Sequence, residues 1–161
     1  MWNDKFALRS RKLIITQGDL ETVISCHAPL QKRVLFLIVL FCRRYGVANL
    51  SAVRISRYTG CTPQAVQKAL SGLERRCLIE KKPGKVVYTK GQFVSGMNSY
   101  KYKPNLNIEP GEQIEVQWDF KENTFMNMYN NILRCNILSS RWQDVFTKKE
   151  IIELEGEKEN G

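Results

Sequence analysis

The sequence predicts an α+β fold with a three-helix core, a β-hairpin after the third helix, and a C-terminal strand and helices. Three observations support this prediction: an apolar helix that starts at Pro29, a capped amphipathic helix over residues 62–76, and β-rich alternating stretches after residue 77. Hydrophobic residues form 43% of the 161-residue chain, which is enough for a packed core and argues against global disorder.

The first core helix is expected from Pro29 to about Tyr45, where Gly46 ends it. Its middle, residues 34–41, is an eight-residue apolar run with basic residues before and after it. A membrane span needs about 20 apolar residues, so this helix is expected to be buried in protein. Because it is apolar nearly all round, other segments or a second copy of the chain must cover both of its sides.

Two capped helices are expected next. Ser51 is a good N-cap for a helix over residues 52–58, and Thr62 caps the following helix with Pro63 in its first turn. An apolar stripe at helical spacing gives this third helix its buried face, which consists of Val66, Ala69, Leu70 and Leu73.

A hairpin is expected after the third helix. The stretch "CLIEKK" is typical of a strand, and Pro83-Gly84 is a strong turn signal. The alternating stretches "KVVYTKGQFV" and "SYKYK" are expected to pair with each other through the loop "SGMN".

The stretch "NLSAVRISRYTGCTPQAVQKALSGLERRCLIEKKPGK" resembles the winged helix-turn-helix superfamily, both MarR-type regulators and the winged-helix domains of phage and plasmid replication proteins. The pattern Thr-Pro-x-x-Val-x-x-x-Leu-x-x-Leu, followed by "LIEKK" and a Pro-Gly turn, carries a resemblance that extends over residues 29–103. It implies that helix 62–76 enters the major groove of double-stranded DNA and that the hairpin is the wing. Cys77 departs from the pattern, because the family often has Gly there to end the helix.

The charge is divided unevenly along the chain. Residues 1–104 contain 19 Lys and Arg against 5 Asp and Glu, a net charge of +14, whereas residues 105–161 carry a net charge of −5. This asymmetry favours a polyanion partner for the first part, although a generally basic surface would give the same count. The residues expected to contact DNA are Ser51, Arg54, Arg57, Thr62, Gln64, Gln67, Lys68, Ser71, Arg75, Lys85, Lys90, Lys101 and Lys103.

These residues have different expected roles. Gln64, Gln67 and Lys68 lie in the first two turns of the third helix, from which side chains reach base edges in the major groove. The arginines of the second helix and the wing lysines are expected to bind the phosphate backbone. The alternative is that they are ordinary surface charges, or that the lysines protect an edge strand.

A helix over residues 124–138 presents an apolar face that needs covering. It can complete the core of its own chain or pair with its counterpart in a homodimer, and the need to cover the first helix on both sides favours the dimer. A protein partner docked on residues 105–161 is a third possibility. The expected dimer interface consists of Leu37, Phe41, Phe125, Met128, Tyr129, Ile132 and Leu133.

The expected organisation has four parts. Residues 1–28 form a strand or arm, residues 29–104 the DNA-binding domain, residues 105–154 an acidic extension for dimerisation or partner binding, and residues 155–161 a flexible tail. A capping box at residues 147–150 is expected to start a last short helix.

Catalysis, cofactors and metal ions are not expected. The five cysteines are scattered without a CxxC pair, and the single histidine, His27, has no partner residue at a metal-ligand spacing. The chain also lacks a Gly-rich phosphate loop and an apolar leader at its start, so a cytoplasmic protein is expected.

The expected function is sequence-specific binding of double-stranded DNA, by a transcriptional regulator or a plasmid or phage replication or maintenance factor. The alternative is a winged-helix adaptor that docks proteins in a replication or transcription complex. Binding of a single strand stays open, because aromatic residues of the hairpin could stack on bases; about half of them are expected in the core. These aromatic residues are Tyr88, Phe93, Tyr100 and Tyr102.

Overall fold

The computed structural model describes residues 12–137 and confirms the α+β class. Its helices are α1 (Gln17–Ile24), α2 (Pro29–Tyr45), α3 (Ala52–Thr59), α4 (Pro63–Arg75) and α5 (Phe125–Ile137). Its strands are β1 (Lys12–Thr16), β2 (Ala48–Asn49), β3 (Ile79–Lys82), β4 (Val86–Thr89), β5 (Gln92–Ser95), β6 (Ser99–Tyr102) and β7 (Gln113–Gln117). The predicted capping box at 147–150 and the predicted tail lie outside the described residues.

The strands form three small antiparallel sheets. β1 pairs with β7, β2 and β3 flank β6, and β4 pairs with β5. The predicted pairing of "KVVYTKGQFV" with "SYKYK" is therefore wrong. The first stretch folds on itself, because Lys90 and Gly91 both adopt positive φ and make the two-residue turn that suits the twist of a hairpin.

Helix α2 is the centre of the molecule. Every residue from 34 to 41 is buried, as the uniform apolar run predicts, and Gly46 ends the helix in the left-handed conformation at φ 83°. Helices α1, α3 and α4 and strands β1, β2 and β6 all pack against it. Within residues 12–137, no helix has the length and apolar character needed to cross a bilayer.

The segment before α2 contains a helix that the sequence prediction missed. Thr16 and Asp19 form a capping box at the start of α1, in which each side chain accepts a hydrogen bond from the other residue's backbone N–H at 3.0 Å. The pattern Thr-x-x-Asp was the available signal. Leu20, Val23 and Ile24 of α1 are buried, so the helix covers one side of α2.

The C-terminal segment covers another side of the core. The rings of Phe36 and Tyr129 meet edge to face at 5.4 Å, and Tyr58 donates a hydrogen bond from its hydroxyl to the carbonyl of Phe120 at 2.8 Å. Trp118 packs between Tyr58 and Phe125 at ring distances of 5.7 and 5.6 Å. Aromatic rings thus join α2, α3 and α5 into one core.

The predicted dimer-interface residues belong to this core within a single chain, and the dimer itself stays a prediction. These residues are already covered by their own chain, because the β1–β7 sheet and α5 fold back over α2 and α3. Ile132 is half-buried, and the residues that are buried are Leu37, Phe41, Phe125, Met128, Tyr129 and Leu133.

A buried polar cluster ties α1, α2 and β6 together. The carboxylate of Asp19, only 2% exposed, accepts hydrogen bonds from Arg43 at 2.7 and 3.0 Å and from the Tyr102 hydroxyl at 3.1 Å. Burial and the neighbouring Asp19 charge raise the pKa of Tyr102, so this hydroxyl stays protonated and donates. The paired charges allow a carboxylate to be buried here.

We expect Phe125→Ala to lower the free energy of unfolding by about 3–5 kcal/mol, because a fully buried ring is lost and a cavity remains. Chemical denaturation over a wide range of protein concentrations checks this, since stability that arises within one chain does not depend on concentration. Asn127→Ala, an exposed change on the same helix, serves as the control. A loss that disappears at high concentration would instead favour a dimer.

We expect Asp19→Ala to lower the free energy of unfolding by about 3 kcal/mol, because Arg43 and Tyr102 both lose their acceptor. Arg43→Ala leaves the Asp19 carboxylate buried with fewer donors and should have an effect of similar size. Urea titrations of the two variants measure both. A change below about 0.5 kcal/mol in either variant contradicts the role of the cluster.

Candidate nucleic-acid interface

Helix α4 is held by a cap and by close packing. The Thr62 hydroxyl accepts a hydrogen bond from the N–H of Ala65 at 3.2 Å, and Pro63 occupies the first turn, where its missing N–H costs nothing. The helix packs on α2 and α3 through its apolar stripe. Gly72 lies directly against Gln31 of α2, where an added Cβ would collide with that side chain.

The opposite face of α4 is polar and open to solvent. All five residues that the sequence assigned to DNA contact on this helix are exposed: Gln64, Gln67, Lys68, Ser71 and Arg75. They stand opposite the buried Val66, Ala69, Leu70 and Leu73, as the helical spacing predicted. The helix therefore presents one continuous face that can both donate and accept hydrogen bonds.

The predicted contacts from α3 divide into two kinds. Arg57 is exposed at the end of this helix, and the Ser51 hydroxyl caps its start by accepting from the N–H of Arg54 at 3.1 Å. The Arg54 side chain instead lies over the ring of Tyr58, 5.7 Å from its centroid, and faces Glu122 at 3.9 Å. The Arg54 side chain thus contacts residues of its own chain, whereas the Arg57 side chain is exposed to solvent.

A groove of about 720 Å³ runs beside α4. Helix α4 forms one wall through Gln67, Ser71 and Glu74, and the start of α3 contributes Ser51. The other wall comes from β3, β6 and the segment before β6, through Lys81, Asn98 and Tyr100. The polar face of α4 and the base of the β4–β5 hairpin therefore border the same groove.

The β4–β5 hairpin joins the body through a narrow neck. Gly84 and Gly96 face each other so closely that a Cβ on Gly84 would overlap the Gly96 backbone. The Gly96 N–H donates to the carbonyl of Lys85 at 2.8 Å, and the Gly84 N–H donates to the Asn98 side chain at 3.2 Å. Only glycine fits such an approach, so the neck fixes where the hairpin leaves the body.

The predicted wing lysines lie in two places. Lys85 and Lys90 are exposed at the neck and the tip of the β4–β5 hairpin. Lys101 is exposed on β6, and Lys103 follows that strand and faces Glu80 at 3.9 Å. Residues 81–103 contain six lysines and no Asp or Glu, so this region is uniformly basic.

Sequence reasoning missed both charged residues that line the groove, Lys81 and Glu74. Strand alternation was the signal for Lys81: it is two residues after the buried Ile79 and lies opposite the buried Tyr100, so it belongs to the face that looks toward α4. Glu74 is one helical turn after Leu70 and Ser71, on the side of α4 that borders the groove.

The cysteines do not form a site within the described residues. Burial raises the pKa of the Cys26 and Cys42 thiols, which keeps them protonated and unreactive. Within residues 12–137, no group of three or more His, Cys, Asp or Glu side chains could hold a metal ion.

Comparisons of the chain with protein-family models, curated proteins and solved structures find no match.

Helix α4 ends at a left-handed residue that is not glycine. Cys77 has φ 59°, its N–H donates to the carbonyl of Glu74 at 2.9 Å, and the N–H of Leu78 donates to the carbonyl of Leu73 at 3.0 Å. These bonds satisfy the last carbonyls of the helix and turn the chain into β3. The end thus closes without the glycine that is often found there.

We expect Cys77→Gly to raise the free energy of unfolding by about 0.5–1 kcal/mol, because glycine adopts positive φ without a steric cost. Cys77→Ala keeps a Cβ and should leave stability nearly unchanged. Thermal denaturation of both variants under reducing conditions tests the prediction. A Gly variant no more stable than the Ala variant would show that the turn is unstrained.

Proposed function

We propose that this protein is a winged helix-turn-helix protein that binds specific sequences in double-stranded DNA. The order α2, β2, α3, α4, β3, hairpin, β6 supports the assignment, because it follows the helix, small strand, helix, helix, strand, wing order of that fold. In this proposal α4 is the recognition helix and the β4–β5 hairpin is the wing.

The exposed polar face of α4 is the observation that carries the proposal. The major groove of B-DNA is about 12 Å wide and admits one α-helix. Gln67 can pair with adenine through two hydrogen bonds, and Lys68 can donate to the acceptors of guanine. Both side chains are exposed in the first turns of α4, the part of a recognition helix that reaches base edges.

Basic residues around α4 supply the backbone contacts in this proposal. Arg57, Arg75 and the wing lysines are exposed, and phosphate contacts from such side chains fix the register of a protein on the duplex. Arg54 donates to the Tyr58 hydroxyl at 3.3 Å and faces Glu122 at 3.9 Å, so a phosphate has to compete with the protein's own groups for this guanidinium. If about six phosphates are contacted, the log–log slope of affinity against salt is near −5.

The biological role is either transcriptional regulation or the replication or maintenance of a plasmid or phage. A regulator is expected to protect one short site, whereas a replication or maintenance factor is expected to prefer repeated sites. The rival function, a protein-docking adaptor, predicts weak DNA binding without sequence preference.

Selection of bound sequences from a random duplex pool at physiological salt tests the proposal. We expect an enriched motif, and we expect Gln67→Ala with Lys68→Ala to weaken binding to that motif by about 30-fold or more, because each good base contact is worth about 1–3 kcal/mol and two are removed. Fluorescence anisotropy at several salt concentrations gives the affinity and its salt slope.

A matched control separates base reading from loss of charge. Gln113→Ala with Lys121→Ala removes the same two residue types from exposed positions outside α4 and the wing. We expect this control to keep affinity for the motif within about twofold. The proposal fails if the α4 pair and the control pair bind equally well, or if the selection enriches no motif.

A further inference from the structure

The wing carries an exposed aromatic pair that the proposed helix contacts do not use. Tyr88 on β4 and Phe93 on β5 are directly opposite each other in the hairpin register, and their ring centroids are 5.0 Å apart. Tyr88 is 64% exposed and Phe93 is 78% exposed. Such rings in water lose the burial that normally stabilises them, so a role in contacting another molecule is the natural explanation.

The pair belongs to a larger apolar surface on the wing. Val86 is two residues before Tyr88 on β4, so it lies on the same face of the hairpin, and it is 63% exposed. Met97 follows β5 and is 51% exposed. Residues 86–97 thus carry four of the eight large exposed apolar side chains of the described residues.

The charge around the pair selects the kind of partner. Lys85 and Lys90 are on either side of Tyr88 along the chain, and no carboxylate occurs between residues 81 and 103. Flat apolar rings on a segment whose only charged residues are lysines match a partner that combines flat apolar faces with negative charge. Unpaired nucleobases on a phosphate backbone have both properties, and they stack on aromatic side chains.

We infer that Tyr88 and Phe93 form a stacking site for an unpaired base next to the duplex that α4 binds. The inference rests on the proposed function. The wing starts at the groove beside α4, where Asn98 lines the wall, and Tyr88 is four residues beyond Gly84. At about 3.3 Å per residue, the rings lie roughly 13 Å along the strands from the neck.

Four aromatic residues supported single-strand binding in the sequence, and the structure places two of them on the β4–β5 hairpin and two on β6. Tyr100 is 3% exposed and packs in the core, and Tyr102 is held in the Asp19 cluster. Only Tyr88 and Phe93 are free to meet a base. The stacking surface is therefore the tip half of the wing and not the whole sheet.

Two DNA molecules test the inference: a blunt duplex carrying the selected motif, and the same duplex with a single-stranded extension whose first unpaired base is 2-aminopurine. We expect the extended DNA to bind roughly tenfold more tightly and its 2-aminopurine fluorescence to be quenched. Tyr88→Ala with Phe93→Ala should abolish both effects and leave blunt-duplex affinity within about twofold.

The matched control is Tyr88→Leu with Phe93→Leu, which keeps apolar surface but removes the aromatic faces. We expect it to behave like the alanine pair, because stacking requires a flat ring. If the leucine pair keeps the preference for extended DNA, general apolar contact explains the wing and stacking is wrong. All four substitutions are at exposed positions, so the variants are expected to fold with unchanged melting temperature.

The remaining outcomes separate this inference from the proposed function. If the blunt duplex binds but the alanine pair changes neither extended-DNA affinity nor fluorescence, the stacking site is overturned and the recognition helix stands. If the protein is a dimer in solution and the alanine pair makes it a monomer without changing DNA preference, the patch is a self-association surface and stacking is overturned. If neither DNA binds, the proposed function fails and the stacking site fails with it.

Discussion

The burial of α2 on all sides is the constraint on which the rest of the structure depends. A helix that is apolar around its whole circumference cannot face water, so every neighbouring segment must contribute a cover. Helices α3 and α4 cover only part of it. The β1–β7 sheet joins the start of the described chain to its acidic second part, and together with α1 and α5 it closes the remaining surface.

This arrangement also determines which surfaces remain open. The apolar side chains of α3, α4 and α5 are used to bury α2 and the aromatic cluster around Trp118. The surface of α4 that stays exposed to solvent is polar, and the exposed hairpin after β3 is basic. The acidic second part also meets the basic first part directly, where Glu122 faces Arg54. One arginine of α3 thereby faces a carboxylate of its own chain.

Much of the fold could be predicted from the sequence, because local signals were strong there. Gly46 ended α2, and Ser51 and Thr62 capped α3 and α4 as expected, since each effect depends on a few adjacent residues. The predicted pairing of the strands after β3 was wrong, because Lys90-Gly91 is a less typical hairpin turn than Asn-Gly and was not recognised as one. The packing of β1 and α5 around the core and the contact of Arg54 with Glu122 join segments that are distant in the sequence. Hydrophobic periodicity reports only local structure, so it does not predict such contacts. The polar face of α4 followed from helical spacing alone.

The narrow neck of the β4–β5 hairpin has a consequence for the energetics of any contact that the hairpin makes with a partner. Strands β4 and β5 hydrogen-bond to each other and not to the three-stranded sheet, and an isolated two-stranded hairpin is only marginally stable in water. The β4–β5 hairpin is therefore a separate cooperative unit that can open at a lower free energy than the core. A partner that orders this hairpin must supply that difference in free energy, so part of the intrinsic contact energy goes into folding the hairpin rather than into affinity. The amide hydrogens of the β4–β5 hairpin should accordingly exchange with solvent through local opening, whereas those of α2 should exchange only through global unfolding.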